Sequence, residues 1–329
     1  MDFAPRNAAE FDLDQCLLLV TDRFLYDAAH LTALRRMWSY IVTSQSGLVY
    51  VIADVSDPSH VVHFGATVFV SDESADRYHR CMSPKISYGL LEEWDAGRKP
   101  FLTRSEIAKA NASTGLNLVV IHHGHEDSLD DETLERLRFA SNERAVRDFR
   151  GWNLRSFTNE AFTFNPERDG KEMGEVLGFR VGQYTDEQLH EAGIPVDKRP
   201  YVWMATRQDV ATGPVGLALG MLFRSFSRPQ FSFAAAEQDL LELALDGHTD
   251  VAIAGLMNSS LTTVKKRFRT IYEKVRIASA AWEEPLLSEP LTDGARGVET
   301  RRHVLSYLRS HPEELRPYCP ELRGHELSV

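Results

Sequence analysis

The stretch FAAAEQDLLELALDGHTDVAIAGLMNSSLTTVKKRFRTIYEKV, residues 233–275, predicts three short helices with a start or stop signal at each break. The first helix, about Ala235–Leu245, is followed by Gly247, a residue that easily adopts the left-handed conformation found after helices. Thr249 and Ser260 precede the other two helices, where a hydroxyl can accept a hydrogen bond from an unpaired N–H group of the first turn. We therefore expect this part of the chain to be all α.

The third of these helices has an apolar side and a basic side. Its apolar residues follow the spacing of one face of an α-helix: Val264, Phe268, Ile271 and Val275. Between residues 260 and 276 there are six Lys and Arg residues and one acid, Glu273. A short helix, a tight turn and a second helix with a basic outer side fit the DNA major groove, which is about 12 Å wide.

This stretch resembles the LuxR/GerE-type helix-turn-helix over residues 233–275 without a gap. The matching residues are Glu237, Gly247, Thr249, Ile253, Ala254, Met257, Ser260, Thr263, Val264 and Lys265. Three positions depart from the family, which commonly has Pro, Glu and His where this chain has Ala235, Ala252 and Arg267.

The resemblance implies a sequence-specific transcriptional regulator that binds double-stranded DNA as a homodimer. The residues expected to contact DNA are Thr262, Thr263, Lys265, Lys266, Arg267, Arg269 and Lys274. The alternative is a small helical bundle whose basic side binds a protein partner and no longer binds DNA.

Composition is that of an ordinary globular protein of two domains, with 329 residues, 43% hydrophobic and 26% charged. The net charge of −11 opposes nucleic-acid binding overall, but the basic segment near residue 265 is a local exception. No apolar run approaches the roughly 18–20 residues of a membrane span, and MDFAPRNAAE does not have the form of a secretory leader. We expect a cytoplasmic protein with free cysteines (Cys16, Cys81 and Cys319) and no metal or cofactor.

Residues 1–228 are predicted to form an α/β or α+β domain, and residues 229–329 a helical domain with its core at 231–276 and a late helix near 301–309. The linker candidate is Ser225–Pro229. Helices are predicted at 12–42 (two), 84–96, 103–113 and 132–150, and strands at 48–55, 62–70, 116–121, 155–164, 178–184 and 201–206. The first two strands are predicted to form a hairpin, the second of them half-buried because its apolar residues alternate.

The helices, the hairpin at 48–70 and the strand at 116–121 resemble the acyl-CoA N-acetyltransferase fold. Those enzymes bind pyrophosphate at a Gln/Arg-x-x-Gly-x-Gly/Ala turn that opens a helix, and no such turn is present. We therefore favour a domain that senses a small-molecule effector or mediates dimerisation, with an acyltransferase-like enzyme as the alternative.

A histidine-rich segment closes the predicted strand at 116–121. It contains His122, His123, His125 and Glu126. These side chains could bind a metal ion, but without further spaced ligands we interpret them as a surface cluster.

Overall fold

The computed structural model describes residues 2–20, 26–80, 84–162, 170–196, 199–212, 217–287 and 295–322. The chain divides into two compact units: unit 1 contains the described residues up to Ser225, and unit 2 those from Phe226 onwards. The division falls within the predicted linker segment. Of the cysteines, Cys16 and Cys319 are free, and Cys81 lies outside the described residues.

The described residues of unit 1 form a mixed seven-stranded sheet in the order β1-β2-β3-β4-β5-β7-β6. The strands are β1 Phe3–Asn7, β2 Gly47–Asp54, β3 Val61–Val70, β4 Leu116–His125, β5 Leu154–Phe162, β6 Arg180–Gln183 and β7 Pro200–Thr206. Strands β4 and β5 are parallel, and every other neighbouring pair is antiparallel. A mixed sheet with helices between its strands agrees with the predicted α/β or α+β class.

Helices cover both faces of this sheet. They are α1 Leu13–Leu18, α2 Ala28–Ser44, α3 Asp72–Arg80, α4 Ile86–Asp95, α5 Arg104–Asn111, α6 Asp131–Phe149, α7 Gly170–Val176, α8 Asp186–Glu191, α9 Arg207–Thr212 and α10 Leu217–Arg224. Successive strand residues point to opposite faces, so Val119 joins a core with Trp38 and Leu90, whereas Leu118 joins one with Phe149.

The hairpin prediction is confirmed: β2 and β3 are antiparallel, with Val51 opposite Phe64. The prediction that the second strand is half-buried is wrong, since every residue from Val61 to Val70 is buried. The intervening residues are buried too: Phe69 joins the core on the other face of the sheet, Gly65 is small, and His63 is hydrogen-bonded to Ser141 inside the fold. The alternation of apolar residues in β3 therefore does not indicate an exposed face, because both faces of the strand are buried.

The described part of unit 2 is helical throughout its regular structure. Its helices are α11 Ala235–Leu245, α12 Asp250–Leu256, α13 Leu261–Ser279 and α14 Ala295–Ser310, followed by 3₁₀ turns at Pro312–Leu315 and Pro320–Leu322. Leu240, Ile253 and Phe268 meet Val304 of α14 in one apolar core. The predicted late helix lies within α14.

Among the described helices, none combines the length and the apolar character needed to cross a membrane.

Candidate functional site

Local caps fix the turn between α12 and α13. Thr249 accepts a hydrogen bond from the N–H of Ala252, and Ser260 from that of Thr263, so both predicted N-caps are confirmed. Asn258 has a φ of +47° in the turn between the two helices. Asn tolerates this left-handed conformation better than most residues, and the chain can therefore reverse within a few residues.

Helix α13 separates apolar and basic side chains. Val264, Phe268, Ile271 and Val275 are buried in the core of unit 2. The opposite side exposes Thr262, Lys265, Lys266, Arg269 and Thr270, with Thr263 and Arg267 half-buried. Neither Lys265 nor Lys266 is ion-paired with a described residue. Six of the seven predicted contact residues therefore lie together in the first half of α13.

Lys274 is placed differently. Its ammonium lies 2.5 Å from the carboxylate of Glu237 on α11, and the Glu237 residue is buried. Lys274 thus belongs to the packing of α13 against α11 and not to the exposed basic side.

Arg301 of α14 connects three helices. Its guanidinium lies 2.5 Å from the Asp250 carboxylate at the start of α12 and 4.5 Å from the ring centroid of Phe268 on α13. It also donates a hydrogen bond to the carbonyl of His248. Sequence reasoning missed this residue, because nothing in its local pattern indicates a partner about fifty residues away.

Unit 1 contains an opening between β4 and β5. The two strands pair from Leu116 and Leu154 to Val120 and Asn159, and no pairing continues beyond these residues. Each strand runs on, to His125 and Phe162 respectively. The strands therefore separate after Val120 and Asn159, and Glu160 is the first residue of β5 beyond the paired part.

Glu160 is buried beside this opening and accepts three hydrogen bonds. The donors are the backbone N–H groups of Lys85 at 2.7 Å and Ile86 at 2.8 Å, and the hydroxyl of Tyr184 at 2.9 Å. Burial raises the pKa of Glu160 to about 7, against the opposing effect of these donors. Buried carboxyl groups with a raised pKa are also found at catalytic sites. In this structure the hydrogen bonds of Glu160 are made with three groups of the protein itself, so they give no indication of a substrate.

The histidine-rich segment does not lie on the surface as predicted. Strand β4 continues to His125, and His122 is buried edge-on against Trp38. Its Nε2 atom is 2.8 Å from the hydroxyl of Tyr26, and burial lowers the pKa of His122 to about 3. His123 and His125 are half-buried. In the part of the chain that the structure describes, no three His, Cys, Asp or Glu residues form a group suited to a metal ion.

The turn from β4 into α6, together with the start of α6, is acidic. It carries Glu126, Asp127, Asp130, Asp131 and Glu132. The Asp130 carboxylate accepts a hydrogen bond from the N–H of Thr133, so the start of α6 already has an anion of its own. A pyrophosphate there would meet like charges, and these residues do not fit it.

Comparison with solved structures finds similarities to unit-1-sized proteins at low identity and low TM-score. The C-terminal condensation domain of Ebony, in complex with beta-alanyl-dopamine, is 10% identical with a TM-score of 0.37, covering 63% of this chain and 99% of that domain. The spermidine N-acetyltransferase SpeG of Vibrio cholerae is 11% identical with a TM-score of 0.36, covering 62% and 93%. An N-acetyltransferase from Staphylococcus aureus Mu50 is 11% identical with a TM-score of 0.33, covering 63% and 99%.

No family model and no curated protein sequence matches the chain. At identities and scores of this size, the structural similarities assign neither an activity nor a substrate to it.

Proposed function

We propose that unit 2 binds double-stranded DNA through the exposed side of α13 and that the chain is a sequence-specific transcriptional regulator. The observation that carries this proposal is the division of α13 into a buried apolar side and an exposed side with Lys265, Lys266 and Arg269. Such cations can contact phosphates and base edges in the major groove. The net charge of −11 acts weakly over distance, because salt screens exposed charges beyond roughly 8 Å.

Fluorescence anisotropy with an operator selected from random duplex DNA tests this proposal. Lys266→Ala should weaken binding by about 1–3 kcal/mol, which is roughly 5- to 150-fold. The matched control is Lys109→Ala, which removes the same exposed side chain from α5 of unit 1 and should leave affinity unchanged. Failure to select any sequence, or equal effects of both substitutions, would overturn the proposal.

We also propose that the DNA-bound form is a homodimer whose two copies of α13 contact half-sites about one helical turn apart. If each copy neutralises three or four phosphates, log affinity should fall with log salt at a slope of about −5 to −7. A slope near half this value, with one copy per duplex by mass photometry, would show a monomer instead.

For unit 1 we propose a sensing role in which a small-molecule effector changes DNA affinity. Native and denaturing mass spectrometry of the purified full chain would detect a ligand carried through purification. Adding back the released compound should then change the operator affinity, and an unchanged affinity would argue against an effector.

Acyl transfer by unit 1 is the second candidate. It is favoured by the presence of the elements on which the N-acetyltransferase resemblance rests, namely α1, α2, the β2–β3 hairpin and β4. The acidic turn into α6 opposes it. Isothermal titration with acetyl-CoA tests for the coenzyme site: no heat would exclude the acyltransferase candidate, whereas micromolar binding would show the site that this candidate requires.

A further inference from the structure

Residues Lys85–Ser87 bridge β4 and β5 just beyond the last paired residues. Glu160 of β5 accepts hydrogen bonds from the N–H groups of Lys85 and Ile86. Ser87 donates its hydroxyl to the carbonyl of Ile121 on β4. The start of α4 is therefore hydrogen-bonded to both strands at the place where β4 and β5 are no longer hydrogen-bonded to each other.

This bridge is built into the core. Ile86 and Ser87 are 4% and 2% exposed, and Glu160 is 4% exposed. Lys85 has a φ of +65°, a left-handed conformation that side-chain-bearing residues adopt only when their surroundings impose it. Release of the bridge would relieve this backbone strain and would free Glu160 Oε2 and the Ile121 carbonyl for another occupant, while Tyr184 continues to donate to Glu160 Oε1.

We propose that Lys85–Ser87 are a displaceable plug of the opening between β4 and β5, and that protonation of Glu160 holds the plug in place. Two states follow: a closed state with Glu160 buried beneath the plug, and an open state with Glu160 in water. The proposal concerns unit 1 alone and stands whether or not unit 2 binds DNA.

Burial of Glu160 sets the direction of the pH effect, and the titratable groups around it do not reverse that direction. Among the described residues, the titratable groups that face it are Lys85 of α4, Tyr184 after β6, Tyr78 of α3 and Tyr26 before α2. Burial raises the pKa of all three tyrosines, so they stay neutral at physiological pH. Glu160 is then the group of this set whose charge changes between pH 4 and 8.

The closed state binds the Glu160 proton more tightly than the open state. The pKa of Glu160 is about 7 when buried and about 4.3 for a glutamate in water. The plug is therefore most firmly closed below about pH 4.3, loosens by up to tenfold per pH unit as pH rises, and is loosest above about pH 7.

Hydrogen–deuterium exchange of the full chain between pH 5 and 8.5, corrected for intrinsic exchange rates, tests this. Protection of the amides of residues 85–91 should fall with rising pH and level off near pH 7. Glu160→Gln, which cannot ionise, should remove the pH dependence. Helix α5 supplies the internal control, because its start is capped by Thr103 and Glu106 and its protection should not follow Glu160.

In the native protein the Tyr184 hydroxyl donates to Glu160 and thereby lowers the pKa of Glu160. Tyr184→Phe removes this donor but keeps the Glu160 carboxyl, so it should raise that pKa. This substitution should therefore move the levelling-off point to higher pH, an effect that loss of packing alone would not produce. If residues 85–91 show the same protection at every pH in the wild type, or if Tyr184→Phe leaves the levelling-off point where it is, the plug proposal is wrong.

Discussion

Two buried glutamates, one in each unit, hold the backbone in the same way. Glu160 accepts from the successive N–H groups of Lys85 and Ile86, and Glu314 accepts from those of Gln230 and Phe231. Burial raises the pKa of both. In each case the carboxylate is distant in the chain and accepts hydrogen bonds from two successive backbone N–H groups.

The two sites differ in what they close. Glu160 closes an opening between two strands and has Tyr184 as a third donor. Glu314 fastens the segment leading into α11, next to the second buried acid Glu313. In unit 1 the buried polar groups at the opening of the sheet are thus hydrogen-bonded to one another. In unit 2 the buried carboxylate binds the segment before α11, and the basic side of α13 stays exposed.

The largest effect is expected for the core of unit 2. Phe268 is 5% exposed, and Phe268→Ala should destabilise this unit by about 3–5 kcal/mol. Differential scanning calorimetry should show one transition moved to lower temperature while the transition of unit 1 stays in place. A single transition that shifts as a whole would show that the units do not unfold separately.

Next in size is the pH response of unit 1. Because the folded-state pKa of Glu160 is raised to about 7, its stabilising contribution is complete below about pH 4.3 and is lost as pH rises to about 7. The unfolding free energy of Glu160→Gln relative to wild type should therefore gain about 2–3 kcal/mol between pH 5 and 7.5. Urea titrations at each pH measure this gain, and a constant difference would contradict the assigned pKa.

Glu314 sharpens the same comparison in unit 2. Glu314→Ala leaves the N–H groups of Gln230 and Phe231 without their acceptor and should cost about 2 kcal/mol. Glu314→Gln retains one acceptor oxygen and should cost less. The order of the two variants in thermal unfolding is the measurement, and equal losses would mean that packing and not hydrogen bonding dominates at this site.

The smallest effect concerns Arg301, which is outside the exposed side of α13. A double-mutant cycle of Arg301→Ala and Asp250→Ala should give a coupling of about 1 kcal/mol, since the pair is partly exposed. Arg301→Lys should retain the charge but lose part of the planar contact with Phe268. No coupling between the two residues would show that α14 does not fix the start of α12.

Local features of unit 2 could be predicted from the sequence because their partners are close in the chain. The caps Thr249 and Ser260 bond to residues three positions later. The apolar spacing of Val264 and Phe268 likewise identifies the buried side of one helix. These signals placed α11, α12 and α13 and most of the exposed basic residues.

Unit 1 was predicted less completely because its decisive contacts are distant. Glu160 and Lys85 are 75 residues apart, and neither residue type indicates the other. His122 was misplaced because β4 extends four residues beyond the predicted strand end, to His125. Helix α3, DESADRYHR, has too few apolar residues to show a helical pattern.

The strand order of unit 1 also sets the order in which the sheet can be completed during synthesis. β6 pairs with β7 and with no other described strand, and β7 ends at Thr206. β5 likewise lacks its second neighbour until β7 has left the ribosome. A nascent chain halted before residue 200 therefore carries an unpaired strand edge on β5 and a β6 segment with nothing to join, and such edges favour aggregation unless they are covered.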